Sequence, residues 1–151
     1  MNIDFKKDKF RFTTRASAII YNKDKTKILL FKVEDGRDFF MLPGGRIEFD
    51  EDSLSAVKRE IKEEIGFDID FEFCSIRENF AIKDEFKVTQ YDFCYKGIYK
   101  ENIKKEKFIC NDNDYQTFYW VNVSEINNYK LFPKSTYKLI KSDKVEHFIE
   151  R

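Results

Sequence analysis

The stretch from Gly45 to Phe67, GRIEFDEDSLSAVKREIKEEIGF, places Glu60, Glu63 and Glu64 at i, i+3 and i+4 of a segment that otherwise reads as a helix. On a helix those positions share one face. Three carboxylates gathered there repel one another. They also fall in the last turn before Gly66, where the helix dipole favours cations. A bound divalent cation removes both penalties, so the spacing points to metal binding rather than to helix stability. The competing reading is a solvated helix with an i, i+4 ion pair between Arg59 and Glu63, kept soluble by Lys58 and Lys62.

Local signals place the helix from about Ser53 to Ile65. Asp50, Glu51 and Asp52 load its start with negative charge, Asp52 or Ser53 can cap it, and Gly66 can end it in a left-handed turn. Leu54, Val57, Ile61 and Ile65 form an apolar stripe beside the carboxylate face, so one side can pack on a sheet while the other holds metal.

The same stretch resembles the signature of the Nudix hydrolases, G-x5-E-x7-R-E-U-x-E-E-x-G-U, with U a bulky apolar residue. Gly45, Glu51, Arg59, Glu60, Glu63, Glu64 and Gly66 fill every fixed position, and Ile61 and Phe67 take the U places. The resemblance implies an α/β/α sandwich with a mixed central sheet, in one domain spanning 1–151. It further implies a metal-dependent enzyme that hydrolyses a diphosphate bond in a nucleoside diphosphate linked to another group, with water as nucleophile. Magnesium is the expected ion and manganese the second choice.

Carried over by position, Glu63 and Glu64 are the expected main metal ligands, with Glu60 a further ligand or the group that activates water. The Gly44 carbonyl adds a ligand, and Arg59 orients the carboxylates by pairing with Glu51. A second catalytic acid, where the family has one, lies in a later loop; Glu106, Asp112 and Asp114 are the candidates, beside Glu60, for general base. Clustered acids raise one another's pKa until metal binds, so activity is expected to rise toward neutral or alkaline pH. One departure is local: family members often have glycine before the first box glutamate, and here Asp50 stands there, a residue that tolerates a left-handed turn.

Outside the box the signals thin. Arg15, Phe40 and Gly45 are candidate substrate contacts. The stretch Lys83-Asp84-Glu85 lacks the proline or tyrosine often found at that distance in ADP-ribose and dinucleoside polyphosphate subfamilies. A nucleoside triphosphate, ordinary or oxidised, is the first expected substrate, and a nucleotide sugar the second. Two rivals share the fold. A nucleotide-binding sensor without turnover tends to lose box glutamates or to carry a DNA-binding domain. A prenyl diphosphate isomerase needs an extra cysteine and acid. Four intact glutamates and a length that suits one domain favour the hydrolase.

Composition narrows the partners. Lys plus Arg equals Asp plus Glu at 28 each, so there is no global field to draw in a nucleic-acid duplex or an anionic membrane. The expected partner is a small nucleotide, with a homodimer as one assembly the family uses. Cys74, Cys94 and Cys110 lack metal-ligand spacing and read as reduced, buried thiols. With no apolar leader and no membrane-length apolar run, a cytoplasmic protein is expected.

Along the chain, Phe12–Tyr21, Lys27–Val33, Phe71–Phe80, Phe86–Tyr99 and Thr117–Val123 read as strands, with turn chemistry at Asn22–Lys25. A closing helix is expected over Pro133–Lys141. Lys100–Lys107 reads as a charged loop and His147 as a surface residue.

Overall fold

The computed structural model describes residues 1–151 as a nine-stranded mixed sheet with helices on both faces. The strands are β1 (Asp4–Lys7), β2 (Phe10–Tyr21), β3 (Lys27–Val33), β4 (Gly44–Arg46), β5 (Phe71–Lys83), β6 (Phe86–Ile98), β7 (Lys107–Ile109), β8 (Gln116–Asn122) and β9 (Glu146–Glu150). The helices are α1 (Ser53–Ile65), a 3-10 helix (Val123–Asn128) and α2 (Ser135–Lys141). The main order is β7-β8-β3-β2-β6-β5-β9, with β2–β6 and β5–β9 parallel and the other pairs antiparallel. This is the expected layered architecture.

Strand alternation assigns the two faces. Ala16, Ala18 and Ile20 of β2, with Leu29 and Phe31 of β3, pack beneath Ala56, Val57, Ile61 and Ile65 of α1. Ile19, Ile28 and Leu30 point the other way, onto Ile126, Leu139 and Ile140 of the 3-10 helix and α2. Each such aliphatic side chain contributes about 1.5–3 kcal/mol when fully buried. The α1 ends follow the local chemistry: the Asp52 carboxylate accepts from the Ser55 N–H, and Gly66 closes the helix at φ 74°.

One irregularity positions the site. β2 pairs with β3 only at Tyr21–Ile28. Toward its other end the same edge of β2 is taken by β4, at Arg15–Ser17, and then by β1. The segment Gly44–Arg46 is thereby laid directly against the central strand, alongside α1.

Four short elements escape sequence reading. β1, β4 and β7 are three or four residues long, and β9 is a half-exposed edge strand; none is long enough to show a period. β7 begins where the charged segment Lys100–Lys107 ends, and the closing helix starts at Ser135, two residues past Pro133. All three cysteines are free and buried, and His147 is exposed, 2.6 Å from Glu78. No helix is long and apolar enough to cross a membrane.

Candidate active site

Two glycines let β4 fit between the central strand and the acidic face of α1. A Cβ on residue 45 would lie 2.1 Å from Glu60 Cδ, so only glycine lets that carboxylate tuck against β4. Gly44, at φ 152°, faces an equally closed space, where a Cβ would meet Ala16 O at 2.1 Å. The loop into α1 turns at Asp50, whose φ of 62° is the left-handed conformation expected for a residue standing in a glycine's place.

Arg59 organises the carboxylates. Nε and Nη2 donate to the two Glu51 oxygens at 2.7 and 2.9 Å, and Nη2 also reaches Arg46 O at 3.1 Å. Nη1 donates to Glu60 at 2.8 Å and, more weakly, to Glu63 at 3.4 Å. The guanidinium holds the Glu51 carboxyl below its usual range, an effect opposed by partial burial. The three helix glutamates are therefore not equivalent. Glu63 is half-exposed, Glu60 is mostly covered and Glu64 is buried.

Glu64 is the anomaly. Its Oε2 is buried without a hydrogen-bond partner. Burial, and then the neighbouring Glu60 charge, push its carboxyl up to about 8, while Arg15 pulls the other way. A buried carboxylate without a partner is costly, and such groups are rare in folded proteins. No three His, Cys, Asp or Glu side chains converge as a ready-made metal cage, because Arg59 occupies Glu60 and Glu63. The donor set nonetheless fits a hard divalent cation: oxygen ligands only, one of them orphaned, with a glycine-lined approach.

Of the later acids, Asp112 is the one whose charge reaches Glu64. Its loop is tied to the helix end by Asn111 N–H donating to Glu64 O at 2.8 Å. Glu106 instead pairs with Lys27 at 2.6 Å on the surface, and Asp114 is exposed.

A cleft of about 170 Å³ opens beside this cluster on the α2 side of the sheet. Arg15, on the central strand, lines it and donates to Leu42 O at 3.0 Å, two residues before Gly44. Its polar wall holds Asn79 and Gln90, and Phe132 stands at its rim, half exposed. Asn79 Oδ1 is buried without a partner. Phe40 does not reach the cleft; its ring packs edge-on against Tyr119 and Tyr129, and its neighbours Met41 and Leu42 line the wall instead.

Beneath the cleft lies a network that sequence reasoning missed. Arg77 Nη2 donates to Asp92 Oδ2 at 2.6 Å, Ser17 Oγ donates to Asp92 Oδ1 at 2.8 Å, and Arg77 Nη1 donates to Thr136 at 2.8 Å. The Arg77 and Asp92 side chains are 2% and 3% exposed. One signal was present: Asp92 interrupts the aromatic run Tyr91–Phe93 in the middle of a long strand.

Comparison with known proteins agrees with this architecture. The NUDIX domain family model matches residues 11–142. The fold resembles a mutator MutT protein from Bacillus halodurans (TM-score 0.69, 19% identity, 89% of this chain and 86% of that one). It also resembles the NUDIX domain of Shewanella oneidensis NrtR, solved with ADP ribose (TM-score 0.65, 18% identity, 91% and 86%). In sequence, the chain is 31% identical over 127 residues to the m7GpppN-mRNA hydrolase of Saccharomyces cerevisiae, covering 66% of this chain. It spans only 13% of that protein's length.

Proposed function

The chain belongs to the NUDIX domain family, and on that premise we propose that it is a divalent-metal-dependent pyrophosphohydrolase acting on a nucleoside diphosphate linked to a further group. The observation that carries this reading is the buried Glu64 Oε2 without a partner, beside Glu60 in a glycine cradle. A fold does not spend an orphaned carboxylate on its own stability.

Glu60, Glu63, Glu64 and the Gly44 carbonyl would hold the cation, magnesium first and manganese second. When bound, it supplies charge neutralisation for the diphosphate and a lower pKa for the attacking water. The protein's own groups set the geometry. Arg59 fixes Glu51 and Glu60 and releases Glu63, the most exposed of the set, to turn inward. Either Glu60 or Asp112 accepts the water proton. Arg15 neutralises phosphate oxygens at the mouth of the cleft. Gly45 gives the Glu60 carboxylate the room it occupies against β4. The base enters the cleft, where Asn79 and Gln90 offer amides to its edge and Phe132 offers a ring face.

The reading extends to one domain carrying the whole site and to a reducing, cytoplasmic setting, supported by three free buried thiols. A nucleoside triphosphate is the first substrate and a nucleotide sugar the second. The yeast relative's printed activity adds 5′-capped RNA ends as a substrate to include.

The test is chromatographic detection of the cleavage products (nucleoside monophosphate with pyrophosphate from triphosphates, nucleoside monophosphate with sugar phosphate from nucleotide sugars, two nucleotides from dinucleotides, cap nucleotide with 5′-phosphorylated RNA from a capped oligonucleotide), with magnesium, manganese or chelator, for wild type and Glu63→Gln. Metal-dependent turnover lost in the variant supports the enzyme. Tight nucleotide binding without turnover on any compound would overturn it in favour of a sensor.

A further inference from the structure

A shallow, open surface region of about 920 Å³ lies on the α1 side of the sheet, lined by no residue of α1 or of the acidic cluster. There β1, β2, β6 and β5 lie side by side with no helix over them. Strand register arranges their outward side chains in rows. One row runs Phe5–Phe12–Thr89–Phe80, and the next runs Lys7–Phe10–Lys87–Ile82. Neighbouring positions in a row are about 4.8 Å apart, the spacing of paired strands.

Two features set this surface apart from chance exposure. Phe5, Phe10 and Ile82 are 53%, 59% and 78% exposed, which gathers large apolar side chains into one patch rather than scattering them. The lining also contains four cations and no carboxylate, although the chain as a whole is neutral. Arg11 is already paired with Asp4, leaving Lys7, Lys87 and Arg151 to face a ligand, the last lying 4.5 Å over the Phe80 ring.

We propose that this sheet face binds a single-stranded nucleic acid, with bases on the phenylalanines and phosphates on the interleaved lysines. Aromatic rings stack on any base, and cations between them track a backbone without reading sequence. A flat, strand-built platform suits unpaired bases, whereas a duplex hides its base faces. Charge complementarity selects this occupant over a second copy meeting it through the same face, which would set cation against cation. The inference goes beyond the hydrolase reading and does not depend on it.

Fluorescence anisotropy of a labelled unstructured ten-nucleotide RNA, with the full chain in chelator, tests it without turnover. Three phosphate contacts predict a log–log salt slope of about −2. Phe10→Ala and Lys87→Glu should each weaken binding about tenfold, and a duplex of the same sequence should bind more weakly than the single strand. Hydrolysis of a small nucleotide, measured separately with metal, should not change in either variant. Absence of RNA binding up to about 1 mM, weaker than ordinary non-specific binding, overturns the proposal. So does binding that ignores both substitutions. A dimer in sedimentation velocity that Phe10→Ala dissociates, without RNA binding, reassigns the face to a second copy.

Discussion

The two faces of the sheet each bury charge, and they treat it oppositely. On the α2 side, both Asp92 oxygens are taken, one by Arg77 and one by Ser17, and Arg77 reaches on to Thr136 of α2. On the α1 side, Glu64 is buried with one oxygen unpartnered and its nearest acid, Glu60, of the same sign. The first arrangement joins β2, β5, β6 and α2 and leaves neither Asp92 oxygen without a partner, Arg77 Nε being the one unpaired polar atom of that ion pair. The second keeps one Glu64 oxygen unpartnered and carries an electrostatic cost, once Glu64 ionises, that a bound proton or a bound cation relieves. The difference teaches how to tell structural from ligand-directed burial: ask whether the protein itself completes the coordination.

Removing Asp92 should have the largest effect. Asp92→Ala strands the Arg77 charge, and breaking a buried pair in this way costs about 3–5 kcal/mol. Urea unfolding reads the loss, and magnesium should not restore it. A loss below about 1 kcal/mol would erase the contrast between the faces.

Glu64→Gln should do the reverse, lowering the magnesium-induced rise in Tm while leaving the metal-free chain as stable or more so. The pH dependence sharpens this. Glu64 has a folded pKa of about 8, raised from 4.5, so its protonated form favours the fold. The metal-free chain should therefore lose stability as pH rises from about 4.5 through about 8, and the variant should lack that slope. Magnesium competes with the proton, so its affinity should climb over the same window. Glu51 runs the other way: its pKa is lowered by Arg59, so its contribution is present above 4.5 and fades as pH falls. Thermal shifts in chelator across pH 4 to 9 separate the two, and a wild-type profile identical to that of Glu64→Gln would remove Glu64 from the account.

The smallest effect is expected at the entry to α1. Asp50→Gly should change stability by less than about 1 kcal/mol, since relief of the left-handed turn is offset by a more flexible unfolded chain. Asp50→Val should cost about 1–2 kcal/mol, because a β-branched side chain fits that turn poorly. Equal behaviour of the two variants in urea would mean that the turn is not constrained.

Much of the acidic face was legible in the chain because its determinants are local. A helix start, a four-residue spacing and a terminal glycine all act within a turn or two, so α1 runs from Ser53 to Ile65 as its sequence suggests. The long strands were legible through their apolar runs. β1, β7 and β9 were not, since DFKK, KFI and EHFIE hold their places by pairing on neighbours rather than by their own pattern. Phe40 misled for a related reason: its position before Pro43-Gly44 suggested the pocket, yet its orientation is set by Tyr119 and Tyr129, distant in sequence.

Sequence alone determined the helix, the glycines and the presence of four glutamates, because those rest on spacing along one backbone. It could not rank the glutamates. Only the tertiary structure decided that Glu64 is the buried one, that Asp112 rather than Glu106 comes near it, and that Arg15 reaches the same corner from the central strand. Burial and charge proximity depend on which surfaces the sheet brings together, and those contacts join segments dozens of residues apart.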